Sequence, residues 1–163
     1  MPADAVTIQQ QDFDIASAYA SLRLAGVGAC VVFTGLVRDI HPGTTTDLEL
    51  EHYPGMTEQA IADIVAAARK RWSVERTRVI HRVGKLGSGD QIVLVGVSSA
   101  HRGDAFAACE FIMDFLKTDA PIWKKELADG EQTWVDQKAS DRAARSRWRE
   151  ALPQSEPTDK SDS

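Results

Sequence analysis

Residues 91–126 read QIVLVGVSSAHRGDAFAACEFIMDFLKTDAPIWKKE. The first ten, 91–100, form a nearly continuous apolar run, which predicts a strand covered on both faces. A helix follows from about Gly103 to Lys117, with Asp104 near its start and Phe106, Cys109, Met113 and Leu116 at helical spacing. Pro121 stops it, because the residue before a proline is pushed out of the helical region. IWKKEL and QTWVDQ then flank Asp129-Gly130, the signature of a hairpin.

Upstream the same two periodicities recur. VTIQQ reads as a short strand, and Asp14 caps a helix whose Ile15, Ala18, Tyr19 and Leu22 share a face. GACVVFTGLV, 28–37, is β-branched and apolar and predicts a buried strand. RDIHPGTTTD, 38–47, is a loop, and LELEHY, 48–53, alternates with Leu48, Leu50 and His52 on one side. PGMTEQ opens a helix to about Trp72, with a stripe of Ile61, Ile64, Val65, Ala68 and Trp72. RTRVIHRVG, 76–84, is another strand, and KLGSGD is a turn. No steady βαβ rhythm or fixed repeat appears, which predicts an α+β fold. Residues 1–150 are expected to make one domain, and the Pro- and Ser-rich end, 151–163, a disordered tail.

Composition narrows the function. At 163 residues, 43% hydrophobic and 26% charged, the chain reads as globular. A formal net charge of −5 argues against general nucleic-acid binding, so any anion must be met by a local cluster. No apolar run nears the roughly 20 residues of a membrane span. MPADAVTIQQ lacks the basic and apolar regions of a secretory signal. Cys30 and Cys109 lie far apart among apolar neighbours and read as reduced, buried, cytoplasmic thiols.

Familiar catalytic patterns are missing. GKLGSG, 84–89, has its glycines in the wrong order for a dinucleotide loop, and GVSSA is not a nucleophile elbow. Histidines 41, 52, 81 and 101 are too dispersed to suggest a metal site. What remains is basic. His101 and Arg102 stand between a strand and a helix, where backbone N–H groups favour an anion; on local sequence alone, ordinary surface polarity is the favoured reading. Arg38 opens a loop after a strand, a usual place for a ligand contact or a solvated arginine. Lys117 closes a helix, where it either offsets the dipole or acts chemically. In IWKKEL, period two puts Lys124 beside Ile122 and Lys125 beside Trp123. A lysine near apolar groups and a second cation loses proton affinity and can serve as base, acid or nucleophile; a solvated edge strand is the plainer alternative.

Taken together, VVFTGLVRD, LELEHYPGMTE, GDQIVLVGVSSAHR and FIMDFLKTDAPIWKKE resemble, in order and spacing, the large catalytic subunit of molybdopterin synthase, over about residues 28–135. The resemblance implies an α/β-hammerhead fold, a mixed, mostly antiparallel sheet with flanking helices. It implies a sulfurtransferase that converts cyclic pyranopterin monophosphate (precursor Z) to molybdopterin in molybdenum cofactor biosynthesis. The sulfur donor would be a small ubiquitin-like subunit with a C-terminal Gly-Gly thiocarboxylate. Two large subunits would form the central homodimer of a heterotetramer, with no resident cofactor, metal, nucleic acid or membrane. Lys117 matches the lysine able to form an amide with the partner's terminal glycine, and Lys124 a second catalytic group. His101, Arg102 and Arg38 match residues that hold the anionic pterin, and Lys125 and Glu126 continue that segment. Leu36 stands where some members carry lysine, so the backbone of Leu36 and Val37 is expected to line the pocket. Arg142, Arg145 and Arg147 either reach a pocket or solvate a terminal helix, and solvation is the expectation.

Overall fold

The computed structural model describes residues 3–39, 43, 47–128, 131–135 and 139–148. Among these residues, eight strands and four helices run in the order β1 (Asp4–Gln9), α1 (Ile15–Leu22), β2 (Ala29–Leu36), β3 (Asp47–His52), α2 (Met56–Arg71), β4 (Arg76–Arg82), β5 (Gly84–Leu86), β6 (Gln91–Ser99), α3 (Arg102–Asp119), β7 (Ile122–Ala128), β8 (Glu131–Trp134) and α4 (Ala139–Ser146). They make two four-stranded sheets, ordered β1-β4-β6-β2 and β5-β3-β7-β8. β1 and β4 are parallel, and every other pair is antiparallel. This is the α+β architecture expected from the mixed periodicities.

The apolar run of β6 is covered on both sides. Val93, Val95 and Val97 join the main core with Ile61, Val65 and Ala68 of α2 and Phe111, Ile112 and Leu116 of α3. On the other face Leu94 packs with Ala18 of α1 and Ile80 of β4. Gly96 lets α1 close down there, since a Cβ at that position would lie 2.7 Å from Leu22 Cδ1. α1 begins where expected: the Asp14 carboxylate accepts from the Ala16 and Ser17 backbone N–H groups at 3.2 and 3.3 Å. A smaller cluster of Val37, Leu48, Leu50, Val83 and Leu86 holds the second sheet to the first, with Ile122 against it.

Four local expectations change. β2 is half-buried rather than buried, and Phe33 and Leu36 are exposed, because β2 is the edge of its sheet. Phe106 is 62% exposed. It follows Ala105, which starts the buried stripe through Cys109, Ile112 and Leu116, so it is turned about 100° from that stripe. Ile15 and Tyr19 are exposed as well, leaving Ala18 and Leu22 as the buried face of α1. The presumed turn KLGSGD contributes to β5, whose Leu86 pairs with Leu48; the turn itself is Gly87–Asp90. Three residues are too few to show alternation. The Asp129-Gly130 turn and the tail, 151–163, lie outside the described residues.

His81 in β4 is buried, and its Nδ1 lies 2.8 Å from the Arg82 carbonyl oxygen, which requires the proton on Nδ1. Burial, opposed by that hydrogen bond, brings its pKa down to about 4. The unfolded chain therefore binds this proton first as pH falls. Stability from this group is complete above about pH 6.5 and is lost as pH falls through 4, by roughly 3 kcal/mol in total. Urea unfolding between pH 7 and 4 should show a shallower acid loss in His81→Gln than in the unmodified chain; identical slopes would refute this.

Candidate functional site

The site begins where β2 ends. The β2–β6 ladder runs in register to Gly35↔Val93 and then slips, pairing Leu36 with Gln91. Such a bulge re-aims the strand's last residues. Val37 turns inward and is buried, its N–H donating to the Asp90 carbonyl and its carbonyl accepting from Gly89, both at 2.9 Å. Leu36 remains 55% exposed, and Arg38 leaves the sheet exposed from this pinned point.

Helix α3 brings Lys117 back to the same end. It starts beyond the last residue of β6 and packs along β6 and β2. Eighteen helical residues cover about 27 Å and nine strand residues about 30 Å, so its last turn reaches the region of Gln91 and Leu36. Lys117 lies in that turn, and its Nζ is 3.5 Å from Asp141 Oδ1 of α4.

The chain then enters β7. Buried Thr57 secures this step: its Oγ1 donates to the Pro121 carbonyl and accepts from the Tyr53 N–H, both at 3.0 Å. Ile122 packs against the cluster holding Val37 and Leu50, tying β7 to the end of β2. Lys124 stands opposite buried Leu50, and Glu126 opposite Leu48 and Thr133. Ile122, Lys124 and Glu126 therefore share a face. Lys125 faces the other way, with its Nζ 3.6 Å from Glu51 Oε1 and 4.3 Å from the Trp134 ring centre. That side carries an open cleft of about 510 Å³ lined by Glu51, His52, Tyr53, Trp123 and Trp134.

His101 and Arg102 lie elsewhere. Ser99 pairs with Ala29, the first residue of β2, so both residues sit beyond that end of the ladder. His101 caps α3 with extended backbone, and both side chains are exposed. The eight residues of β2 span about 26 Å, which separates this pair from Arg38. Within one chain the candidates thus form two groups. Leu36, Val37, Arg38, Lys117, Lys124 and Glu126 gather near one end of the ladder, Lys125 is on the reverse face of β7, and His101 with Arg102 are at the far end.

The terminal arginines are not simply solvated. Arg145 pairs with Asp119 at 2.7 Å, and Arg147 reaches Glu110 at 2.7 Å and Asp114 at 2.9 Å, while Arg142 is exposed. Asp141 had no signal in the sequence beyond an acid in a helix's first turn. Cys109 is buried as expected, whereas Cys30, on the edge strand β2, is only half-buried; burial pushes the Cys109 thiol up to about 12 and raises that of Cys30, so neither favours a thiolate. Among the described residues no three His, Cys, Asp or Glu side chains gather as a metal site.

A family model described as "MoaE protein" matches residues 8–119. The molybdopterin synthase catalytic subunit of Vibrio cholerae is 54% identical over 145 residues, covering 88% of this chain and 97% of that protein. The subunit of the same name from Ralstonia nicotianae is 53% identical over 146 residues, 88% of this chain and 83% of the relative. Among solved structures, a molybdopterin cofactor biosynthesis protein E from Burkholderia multivorans has a TM-score of 0.77 and 49% identity, covering 90% of this chain and 97% of that one. A molybdopterin synthase from Staphylococcus aureus has a TM-score of 0.74 and 35% identity, covering 79% and 95%.

Proposed function

The chain belongs to the MoaE protein family, and from that membership we propose that it is the catalytic subunit of a molybdopterin synthase. Its substrate is precursor Z, and its second reactant is a small ubiquitin-like protein ending in a glycine thiocarboxylate. The observation that supports this reading is that the β2 end, the last turn of α3 and the start of β7, which carry Arg38, Lys117 and Lys124, lie toward the same end of the sheet.

The chemistry is that of a sulfurtransferase. The thiocarboxylate sulfur attacks a substrate carbon and forms a C–S bond as a C–O bond of that carbon breaks and its oxygen leaves in protonated form, so that the partner's glycine is linked to the pterin through the sulfur. Water then breaks the acyl–sulfur bond, releasing the partner as a carboxylate and leaving the sulfur on the product; a second donor repeats the cycle. Lys117 meets the partner's terminal glycine, and in a side reaction its neutral amine can attack the acyl carbonyl, forming an amide as the C–S bond breaks and the sulfur leaves as hydrosulfide. Lys124 moves the protons that attack and hydrolysis require. Arg38 binds the cyclic phosphate through charge-assisted hydrogen bonds, and the Leu36–Val37 backbone and Glu126 border the same space.

His101 and Arg102 serve the same anion from a second copy. A separation of about 26 Å along β2 is too long for one small substrate to bridge. A homodimer that sets the far end of one chain against the near end of the other would complete each pocket, and two such pockets with two small subunits make a heterotetramer. No described helix is long and apolar enough to cross a membrane, and we place the reaction in the cytoplasm.

The direct test is incubation of the purified chain with precursor Z and the thiocarboxylated partner, with dithiolene formation as readout. Conversion that requires all three components is expected. Tight partner binding without conversion would reduce the chain to a docking module. Conversion without the partner would make it a different phosphometabolite enzyme.

A further inference from the structure

The last helix is fastened to α3 by more than surface charge. Arg145 Nε and Nη2 donate to the two carboxylate oxygens of Asp119 at 2.7 and 3.0 Å. Arg147 Nη2 reaches Glu110 and Asp114, and Trp148 Nε1 donates to Asp114 at 2.8 Å. The Trp148 indole stands edge-on to Trp72 and Phe111, with centroids 5.5 Å apart in both cases. The Arg71 guanidinium lies 4.7 to 5.3 Å from the rings of Trp72, Phe111 and Trp148. Glu110, Asp114 and Lys117 follow each other at intervals of four and three, so they occupy the one face of α3 that α4 covers.

We infer that Asp141 is a positioning residue for Lys117: its carboxylate, carried on this fastened helix, holds the ammonium at the end of α3 where the partner's terminus arrives. The inference rests on the role of Lys117 proposed above. Stability does not account for the contact. The lysine and aspartate side chains are 49% and 23% exposed, and such pairs contribute little to folding. The shorter Arg145 and Arg147 bonds already attach the helix. The geometry suits a tether. At 3.5 Å the carboxylate acts mainly through charge, leaving the ammonium's three N–H donors for an incoming acceptor. Without it, a long exposed lysine samples many rotamers and the reacting atoms meet less often.

The test uses the full chain with its thiocarboxylated partner. Asp141→Asn should lower kcat on the order of tenfold while KM for precursor Z and for the partner stays within about twofold. Asp141→Glu, which keeps the charge, should recover most of the rate, and the thermal midpoint should not move in either variant. An activity-independent readout is acetylation of Lys117 by an amine-reactive reagent, followed by mass spectrometry. Its rate should rise several-fold in Asp141→Asn and remain near the unmodified value in Asp141→Glu. Unchanged kcat and labelling in Asp141→Asn, or an equal loss in both variants with a lowered midpoint, would overturn the inference. If the unmodified chain fails to convert precursor Z while the labelling pattern holds, the proposed function fails and the tether stands.

Discussion

Lys117→Ala should reduce dithiolene formation by on the order of 10²- to 10⁴-fold, because the group that meets the partner's terminal glycine and orients it for attack is lost. In barrier terms that is roughly 3–5 kcal/mol. Folding should barely notice. The side chain is half-exposed in the last turn of α3, and alanine is a good helix former, so a stability change within about 0.5 kcal/mol is expected. Loss of the pair with Asp141 removes only a weak surface contact. Single-turnover assays, thermal unfolding and partner affinity on the same preparation separate these effects. Lys124→Ala should show a comparable kinetic loss with a somewhat larger effect on stability, because Lys124 lies opposite buried Leu50 and its stem covers apolar surface. Near-normal turnover in Lys117→Ala with a collapse in Lys124→Ala would make Lys124 the principal group. Near-normal turnover in both would reduce the cluster to a docking surface.

The second large effect is a rescue. Arg38→Ala and the double variant His101→Ala/Arg102→Ala should each be nearly inactive alone. Mixed, unfolded together and refolded, they should regain about one quarter of the normal rate. Half of randomly paired dimers contain one of each chain, and each such dimer has one intact pocket and one doubly defective pocket. The expectation follows from the β2–β6 register, which puts Arg38 past Leu36↔Gln91 and His101 past Ala29↔Ser99. If each pocket were built within a single chain, no mixture of these variants would contain an intact one. A rate equal to the mean of the two parents would therefore falsify the shared-pocket arrangement. Normal activity in His101→Ala/Arg102→Ala alone would return that pair to ordinary surface polarity.

Much of the local structure was legible in the chain. The apolar run of β6 announced a strand covered twice, and α2 and α3 cover one face while α1 covers the other. Asp14 announced a helix start, and Pro121 the end of α3, which stops at Asp119. The pairing of Lys125 with Trp134 matches the hairpin read from IWKKEL and QTWVDQ. The failures have a common cause. Phe106 and the outer side of β2 looked internal because apolar character was visible while the absence of a covering element was not. β5 was too short to carry a pattern, and Asp141 belonged to a helix whose partner face lay 24 residues upstream.

The amino-acid sequence by itself determined the kinds of element, their main caps and breaks, and the supply of cationic side chains, because these depend on residues within one or two turns of each other. Only the tertiary structure decided which cations share an end of the sheet, which pair is sent to the opposite end, and which carboxylate meets Lys117. Those relations follow from strand order, strand direction and helix length, and they are set when distant segments bury their apolar faces together; no short window of sequence contains that information.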